Sequence, residues 1–220
     1  MNLYRHSLVW IRPESRVQVA AQITGGGAHA HVAAWLAADR PLVVARQPDN
    51  LAPDTIAVGL AFPPARGKRR IALRVATHDI ARSTPPLLLA DALTYAPAAW
   101  QPALAELDAA AADIDIELRV FGSLAWQALS GMDYLTPQSD IDLLWHPLSH
   151  NQLQQGIALL AEWERSSGLR VDGEVLFGGS SAVSWREWAA LKSGDDRRVL
   201  VKRQTSAELV GTRELLELLA

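Results

Sequence analysis

The sequence of 220 residues contains no cysteine, which excludes disulfide bonds, a cysteine nucleophile and a zinc site built on thiolates. It also has no uncharged apolar run of the roughly 20 residues that a membrane-spanning helix requires. The first residues, MNLYRHSLVWIRPE, lack the apolar segment and the small-residue cleavage site of a signal peptide. We therefore expect no membrane association and a cytoplasmic location.

An excess of positive charge is missing as well. The formal net charge is -3, so the chain has no overall basic field, and we expect no nucleic-acid partner. Hydrophobic residues make up 49% and charged residues 20% of the chain, proportions that are typical of a folded globular protein. The length allows one large domain or two small ones.

Hydrophobic patterns divide the chain into two units at the turn-rich stretch Ser83-Thr84-Pro85-Pro86. Residues 1–84 are expected to form a smaller α/β domain that binds the substrate or a partner. The pattern there predicts one helix at 29–38 and strands at 8–11, 17–24, 41–45, 56–62 and 71–76.

The second unit, residues 85–220, has the clearer pattern. Strands are predicted at 116–121, 140–145, 169–177 and 198–202. Helices are predicted at 87–95, 102–112, 124–129, 149–165 and 184–192, with a last helix that begins at a cap in 205–208. Strands that alternate with helices favour α/β or α+β packing around a mixed sheet with flanking helices. Of these two fold classes we predict α+β.

The stretch FGSLAWQALSGMDYLTPQSDIDLLW, residues 121–145, carries two features that point to chemistry on a phosphate. In the first, Asp140 and Asp142 are separated by one residue on a predicted strand, so their side chains project from the same face. Two carboxylates so close repel each other unless a cation lies between them. Mg²⁺ prefers oxygen ligands and leaves coordination positions for substrate phosphates, so the pair predicts a catalytic Mg²⁺ site.

Gly122 and Ser123 form the second feature. Glycine permits close approach of the backbone, and the amides that open a helix donate to phosphate oxygens. The Ser123 hydroxyl adds one donor, so we interpret both residues as binding a triphosphate. Lys202, at the end of a predicted strand, is a further candidate for this role because a triphosphate needs cations besides the metal.

A third carboxylate is expected if two metal ions act here. Asp172 and Glu174 lie on one face of the strand predicted at 169–177. We prefer Asp172 as the metal ligand and as the group that takes the proton of the attacking hydroxyl, with Glu174 as the alternative.

A basic cluster stands out in this chain of net negative charge. It consists of Arg66, Lys68, Arg69 and Arg70 in a turn-rich loop. Most such runs are solvated loops. The functional interpretation is docking of an acidic partner protein, for which charge attraction speeds association more than it tightens binding.

The order of these features over residues 116–178 resembles the DNA polymerase β-like nucleotidyltransferase superfamily: strand, Gly-Ser, helix, Asp-x-Asp strand, helix, carboxylate strand. A lone Asp-x-Asp or Gly-Ser is common in edge strands and turns, whereas the ordered set is rare by chance. The sequence of residues 121–145 is similar to one family in particular. The later stretches VDGEV and AVSWREWAALKS, and RHSLVWI near the start, share this similarity. That family is the malonate decarboxylase holo-[acyl-carrier-protein] synthases, or phosphoribosyl-dephospho-CoA transferases.

The resemblance implies a specific reaction. The family transfers the phosphoribosyl-dephospho-CoA group from 2'-(5''-triphosphoribosyl)-3'-dephospho-CoA to a serine of the apo acyl carrier protein subunit of malonate decarboxylase, and pyrophosphate leaves. Asp140 and Asp142 match the catalytic aspartates of the family by motif and would bind Mg²⁺. The nucleophile would come from the partner protein, so no Ser-His pair is needed in this chain.

Two other functions remain open from the sequence. One is a nucleotidyltransferase of the same fold with another acceptor, such as a small molecule or an RNA end. The other is a catalytically inactive nucleotide-binding or scaffold module. The second alternative predicts a missing carboxylate, and the sequence retains Asp140, Asp142 and Asp172.

Overall fold

The computed structural model describes residues 3–67, 69–191 and 197–219. The chain forms two compact units, Met1–Pro86 and Leu87–Ala220, which we call the N-terminal unit and the C-terminal unit. None of the described helices is both long enough and apolar enough to cross a bilayer.

The N-terminal unit is a five-stranded antiparallel sheet with two helices. The strand order is β4-β3-β2-β1-β5. The elements are, in chain order, β1 (Leu8–Ile11), α1 (Arg16–Ala20), α2 (Gly26–Ala37), β2 (Leu42–Val44), β3 (Thr55–Ala61), β4 (Arg70–Ala76) and β5 (Ile80–Thr84).

One predicted strand in this unit is wrong. Residues 17–24 do not extend a strand, because α1 occupies Arg16–Ala20 and buries Val19 and Ala20 while Val17 is 80% exposed. A short apolar run with two valines fits a strand and a helix equally well, and packing decides between them. The sequence analysis also missed β5, which pairs with β1.

The C-terminal unit is a seven-stranded mixed sheet with helices, of strand order β12-β11-β10-β9-β8-β7-β6. Its strands are β6 (Leu87–Leu88), β7 (Arg119–Val120), β8 (Ile141–Trp145), β9 (Val171–Phe177), β10 (Ser181–Ser184), β11 (Arg198–Lys202) and β12 (Ala207–Gly211). Its helices are α3 (Leu89–Ala92), α4 (Gln101–Ala112), α5 (Gly122–Ser130), α6 (His150–Ser167), α7 (Trp185–Ala189) and α8 (Thr212–Glu217). The α+β fold class is confirmed.

Two helices of this unit, α5 and α6, lie within two residues of the predicted bounds 124–129 and 149–165. The Ser149 hydroxyl accepts a hydrogen bond of 3.2 Å from the backbone N–H of Gln152, which caps the first turn of α6. Helix α5 ends at Gly131, whose left-handed conformation costs glycine little. The last helix was predicted wrongly, because 207–211 pairs with β11 as β12 and the helix begins only at Thr212.

The central strands of the larger sheet alternate between an apolar face and a polar face. One set of side chains joins the hydrophobic core with α4 and α6: Ile141, Leu143, Val171, Val175, Val199 and Val201. The side chains between them project from the other face. The candidate residues Asp140, Asp142, Asp172, Glu174 and Lys202 all belong to this second set. The sheet therefore presents its acidic residues on the side away from the core.

Candidate active site

Asp142 and Asp172 lie directly opposite each other on neighbouring strands. Strands β8 and β9 run parallel, and their register pairs Ile141 with Val171 and Asp142 with Asp172. Strands in a sheet lie about 4.8 Å apart, so the two carboxylates project side by side from the polar face. The strand phase that the sequence predicts for Asp172 agrees with this register.

Gly122 lies in close contact with the Asp142 carboxylate. It has a φ of 63°, opens α5, and lies so close to Asp142 that an added Cβ would fall 2.7 Å from Asp142 Cγ and overlap Oδ2. The backbone N–H of Phe121 also donates to the Asp142 carbonyl at 3.1 Å. The start of α5, with the half-buried Ser123, therefore lies against the second aspartate of the Asp-x-Asp pair.

Asp140 has one carboxylate oxygen that the described residues do not satisfy. Its Oδ1 atom is buried and accepts no hydrogen bond from the described part of the chain. The nearest cation is Arg170, whose Nε atom lies 3.3 Å away, within ion-pair distance but without hydrogen-bond geometry. The Arg170 side chain is 70% exposed, so it can leave Asp140 at little cost.

The segment 132–139 leads into Asp140 and is anchored to α5. The side-chain oxygen of Gln127 accepts hydrogen bonds from the backbone N–H groups of Tyr134 and Leu135, at 2.9 and 3.0 Å. Tyr134 is 2% exposed and its ring stacks near Trp126, with the ring centroids 6.3 Å apart. The path from Ser123 to Asp140 therefore consists of α5 and a loop that is hydrogen-bonded to α5 and leads into β8.

Glu174 and Lys202 form an ion pair with each other. Lys202 Nζ donates to Glu174 Oε1 at 3.0 Å, and the Glu174 side chain is only 6% exposed. Glu174 lies opposite Leu144 rather than opposite an aspartate. Asp172 is thus the third carboxylate that the register brings to the pair, and the Lys202 charge is partly engaged in neutralising Glu174.

The residues offer oxygen ligands of the kind that Mg²⁺ prefers, to which substrate phosphates and water would add. Among the described residues, no group of three or more His, Cys, Asp or Glu side chains is assembled closely enough to hold a metal ion alone. Mg²⁺ is usually bound by one or two carboxylates together with substrate phosphates and water. Asp140 and Asp142 supply such oxygen donors, and the unsatisfied Oδ1 of Asp140 is the kind of atom that a cation would satisfy.

Glu164 and Arg186 hold the first residue of β9, a contact that the sequence analysis did not predict. Glu164 Oε1 accepts from the Val171 N–H at 3.0 Å. Arg186 donates to both oxygens of Glu164 and, through Nη2, to the Val171 carbonyl at 2.6 Å. The indole N–H of Trp185 donates to the same carbonyl at 3.2 Å. We call this set of side chains the Val171 clamp.

The charges of the clamp reinforce one another. The hydrogen bonds from Arg186, with the Val171 N–H and the nearby Arg170, lower the pKa of Glu164 against the opposing effect of burial. The hydrogen bond to Glu164 raises the pKa of Arg186, and the charges of Glu164, Asp172 and Asp140 raise it further. Arg186 is therefore a permanent cation close to the acidic site.

The basic loop belongs to the N-terminal unit. Arg66 Nη1 lies 3.3 Å from Nδ1 of the buried His31, and the guanidinium of Arg69 lies 5.2 Å from the centroid of the Phe62 ring. Arg70 begins β4 and is exposed. The predicted docking residue Lys68 lies outside the described residues.

Comparison with known proteins gives matches along nearly the whole chain. The family model described as the phosphoribosyl-dephospho-CoA transferase MdcG C-terminal domain matches residues 88–213, and that of the MdcG N-terminal domain matches residues 4–86. A curated phosphoribosyl-dephospho-CoA transferase of Xanthomonas campestris is 42% identical over 94% of this chain and 93% of its own length. One from Bradyrhizobium diazoefficiens is 36% identical over 83% of this chain and 80% of its own.

No solved structure matches the chain significantly. The two family models together cover nearly the whole sequence. Their boundary in the sequence coincides with the division of the chain into the two compact units. The chain therefore belongs to the phosphoribosyl-dephospho-CoA transferase family.

Proposed function

We propose that this protein is a cytoplasmic nucleotidyltransferase that acts on an apo acyl carrier protein. The donor would be 2'-(5''-triphosphoribosyl)-3'-dephospho-CoA, and the acceptor a serine of the carrier subunit of malonate decarboxylase. The observation that carries the proposal is the register of Asp142 against Asp172 on the polar face of the sheet, with Asp140 beside them. Relatives named phosphoribosyl-dephospho-CoA transferase support the choice of donor.

The proposed reaction is a displacement at the phosphorus nearest the ribosyl group. The oxygen of the carrier serine forms a bond to this phosphorus, and the bond from the phosphorus to the bridging oxygen breaks. Pyrophosphate leaves with the electron pair of that bond. The serine proton passes to a carboxylate, for which Asp172 is the candidate because it is exposed and lies opposite Asp142.

The chain's other residues would orient the donor. Asp140 and Asp142 would hold Mg²⁺, which when bound neutralises the charge that develops on the phosphate oxygens. The N–H groups at the start of α5 and the hydroxyl of Ser123 would donate to the triphosphate. Gly122 contributes by its lack of a side chain, which leaves room for the Asp142 carboxylate. Lys202 would contribute positive charge only in so far as Glu174 does not neutralise it.

The basic loop is the proposed docking site for the carrier. Acyl carrier proteins are typically acidic, and exposed arginines attract an acidic partner over about 10 Å at moderate salt. Arg66 and Arg69 also pack against His31 and Phe62, which holds the loop to the N-terminal unit. Arg70 points its charge outward from the first position of β4.

The direct test is the intact mass of the apo carrier subunit after incubation with the protein, Mg²⁺ and the triphosphoribosyl donor. We expect a mass gain equal to one phosphoribosyl-dephospho-CoA group, which EDTA abolishes and added Mg²⁺ restores. A carrier whose acceptor serine is replaced by alanine is the control. An unchanged mass with folded protein and intact donor would contradict the proposed acceptor. A gain that persists in EDTA would contradict the metal requirement.

A further inference from the structure

Within the described parts of the chain, no strand pairs with the start of β9 on the side away from β8. Strand β10 ends at Ser184, opposite Glu174, and the chain turns there into α7. The residues of β9 before Glu174 therefore have β8 on one side only. The Arg170 carbonyl points toward β8, where it accepts from the Ile141 N–H at 2.8 Å. The backbone groups of the next residue, Val171, point the other way, toward the missing strand.

Side chains replace that missing strand. Val171 is 0% exposed, and a buried N–H or C=O without a hydrogen-bond partner destabilises the fold. Glu164 accepts from its N–H, while Arg186 and Trp185 donate to its carbonyl. The residue that follows is Asp172.

The Asp172 side chain has few restraints among the described residues. It is exposed, and the one hydrogen bond described for it is from the N–H of Gly173, at 2.7 Å. Gly173 has a φ of 138°, a conformation that only glycine adopts easily, so the backbone on that side is not stiffened by a side chain. The Asp172 backbone is therefore held by β8 on one side and, through the peptide group before it, by the clamp.

We propose that Glu164 and Arg186 are positioning residues that fix the backbone at Val171 and thereby hold Asp172 in place opposite Asp142 for cation binding. This inference rests on the proposed function, because it assigns the acidic residues to a metal site. Neither residue is required to touch the substrate. The permanent charge of Arg186 near Asp172 and Asp140 supports the assignment, because it reduces the repulsion between the carboxylates before a cation binds.

The test measures binding of Mn²⁺, a paramagnetic substitute for Mg²⁺, to the full chain by electron paramagnetic resonance. Glu164→Gln removes the two-pronged ion pair with Arg186 but keeps an oxygen for the Val171 N–H. Glu162→Gln is the matched control, since Glu162 lies on the same helix and forms an exposed ion pair with Arg165. Both variants change the net charge equally.

We expect Glu164→Gln to raise the dissociation constant of Mn²⁺ by about tenfold or more, as loss of a group that orients a ligand does in other metal sites. Glu162→Gln should bind like the unmodified protein. If Glu164→Gln folds poorly, Arg186→Lys keeps the charge and removes the two-pronged geometry, and the same weakening is expected.

Two results would overturn the inference in distinguishable ways. If Asp142→Asn abolishes Mn²⁺ binding but Glu164→Gln binds as Glu162→Gln does, the metal site stands and the positioning role is wrong. If Asp142→Asn leaves Mn²⁺ binding unchanged, the metal site of the proposed function is wrong and the positioning role falls with it. The metal site and the positioning role are both supported if Asp142→Asn abolishes Mn²⁺ binding and Glu164→Gln weakens it while Glu162→Gln does not.

Discussion

Gly122 lies against the Asp142 carboxylate with no room for a side chain between them. Gly122→Ala should therefore displace Asp142 as well as strain the backbone. Gly131→Ala is a close control, because Gly131 also has a positive φ, of 69°, but has nothing within 4 Å of the added methyl group. We expect Gly131→Ala to cost about 1–2 kcal/mol of stability and to keep activity.

Urea unfolding and the transfer rate separate the two glycine variants. Gly122→Ala should lose more stability than Gly131→Ala. Its transfer rate should fall by at least about a hundredfold, because a displaced Asp142 carboxylate no longer stabilises the transition state. Equal rates for the two variants would show that Asp142 does not need the space that Gly122 leaves.

Removal of charge at the proposed metal site should stop the reaction without unfolding the protein. Asp140→Asn and Asp142→Asn change a partly exposed side chain on the polar face of the sheet, so the free energy of unfolding should change by less than about 1 kcal/mol. The transfer rate should fall by about a hundredfold or more. Asp133→Asn, in the loop that precedes β8, is the control for loss of one negative charge. Turnover near that of the unmodified protein in either variant would contradict the metal assignment.

If the basic loop is the docking site, association with the carrier should depend on salt. The exposed Arg70 side chain makes no hydrogen bond or ion pair within the described parts of the chain, so Arg70→Ala removes charge without removing a contact. We expect kcat/KM for the carrier to fall several-fold at low salt and the difference to vanish near 1 M salt. The KM for the triphosphoribosyl donor should not change. Arg165→Ala, which removes an exposed arginine of the C-terminal unit, should leave kcat/KM for the carrier and KM for the donor unchanged.

His31 predicts a loss of stability in mild acid. Burial, and then the charges of Arg66 and Arg40, lower its pKa below the ordinary 6.5. The unfolded chain therefore binds the proton at a higher pH than the folded chain, so stability is full above pH 6.5 and declines as the pH falls from 6.5 to the folded pKa. One such proton changes the free energy of unfolding by at most about 1.4 kcal/mol per pH unit.

His31→Gln tests this dependence, since glutamine does not titrate and its amide oxygen can accept from Arg66. The free energy of unfolding in urea, compared at about pH 7.5 and about pH 5.5, should fall less in His31→Gln than in the unmodified protein. His78→Gln changes a histidine that is 81% exposed and should leave the fall as it was. An equal fall in all three proteins would exclude His31 as the source.

The sequence predicts those features whose geometry depends on residues only a few positions apart. The spacing of Asp140 and Asp142 fixes their common face, and Ser149 and Gly131 mark helix ends because a cap and a left-handed turn need only a few residues. The Val171 clamp could not be predicted this way. It joins Glu164 and Arg186 across 22 residues, and only the end of β10 creates the need for it.

The elements that were missed or mistaken follow the same rule. β10 is short, and its SAVS sequence has only small or β-branched residues that pack between β9 and β11. β12 forms because β11 offers it a partner, and this pairing overrides a capping pattern at 205–208. In each case, pairing with a neighbouring strand overrides what the residues of the element indicate by themselves.

The parallel pairing of β8 and β9 makes the length of α6 a constraint on insertions and deletions. Both strands start at the same edge of the sheet, so α6 must carry the chain back across it and deliver Glu164 where β9 begins. One extra residue within α6 would rotate Glu164 by about 100° and carry its carboxylate away from Val171. Length variation in this half of the chain is therefore tolerable in exposed turns, such as the one at Gly179, but not inside this helix.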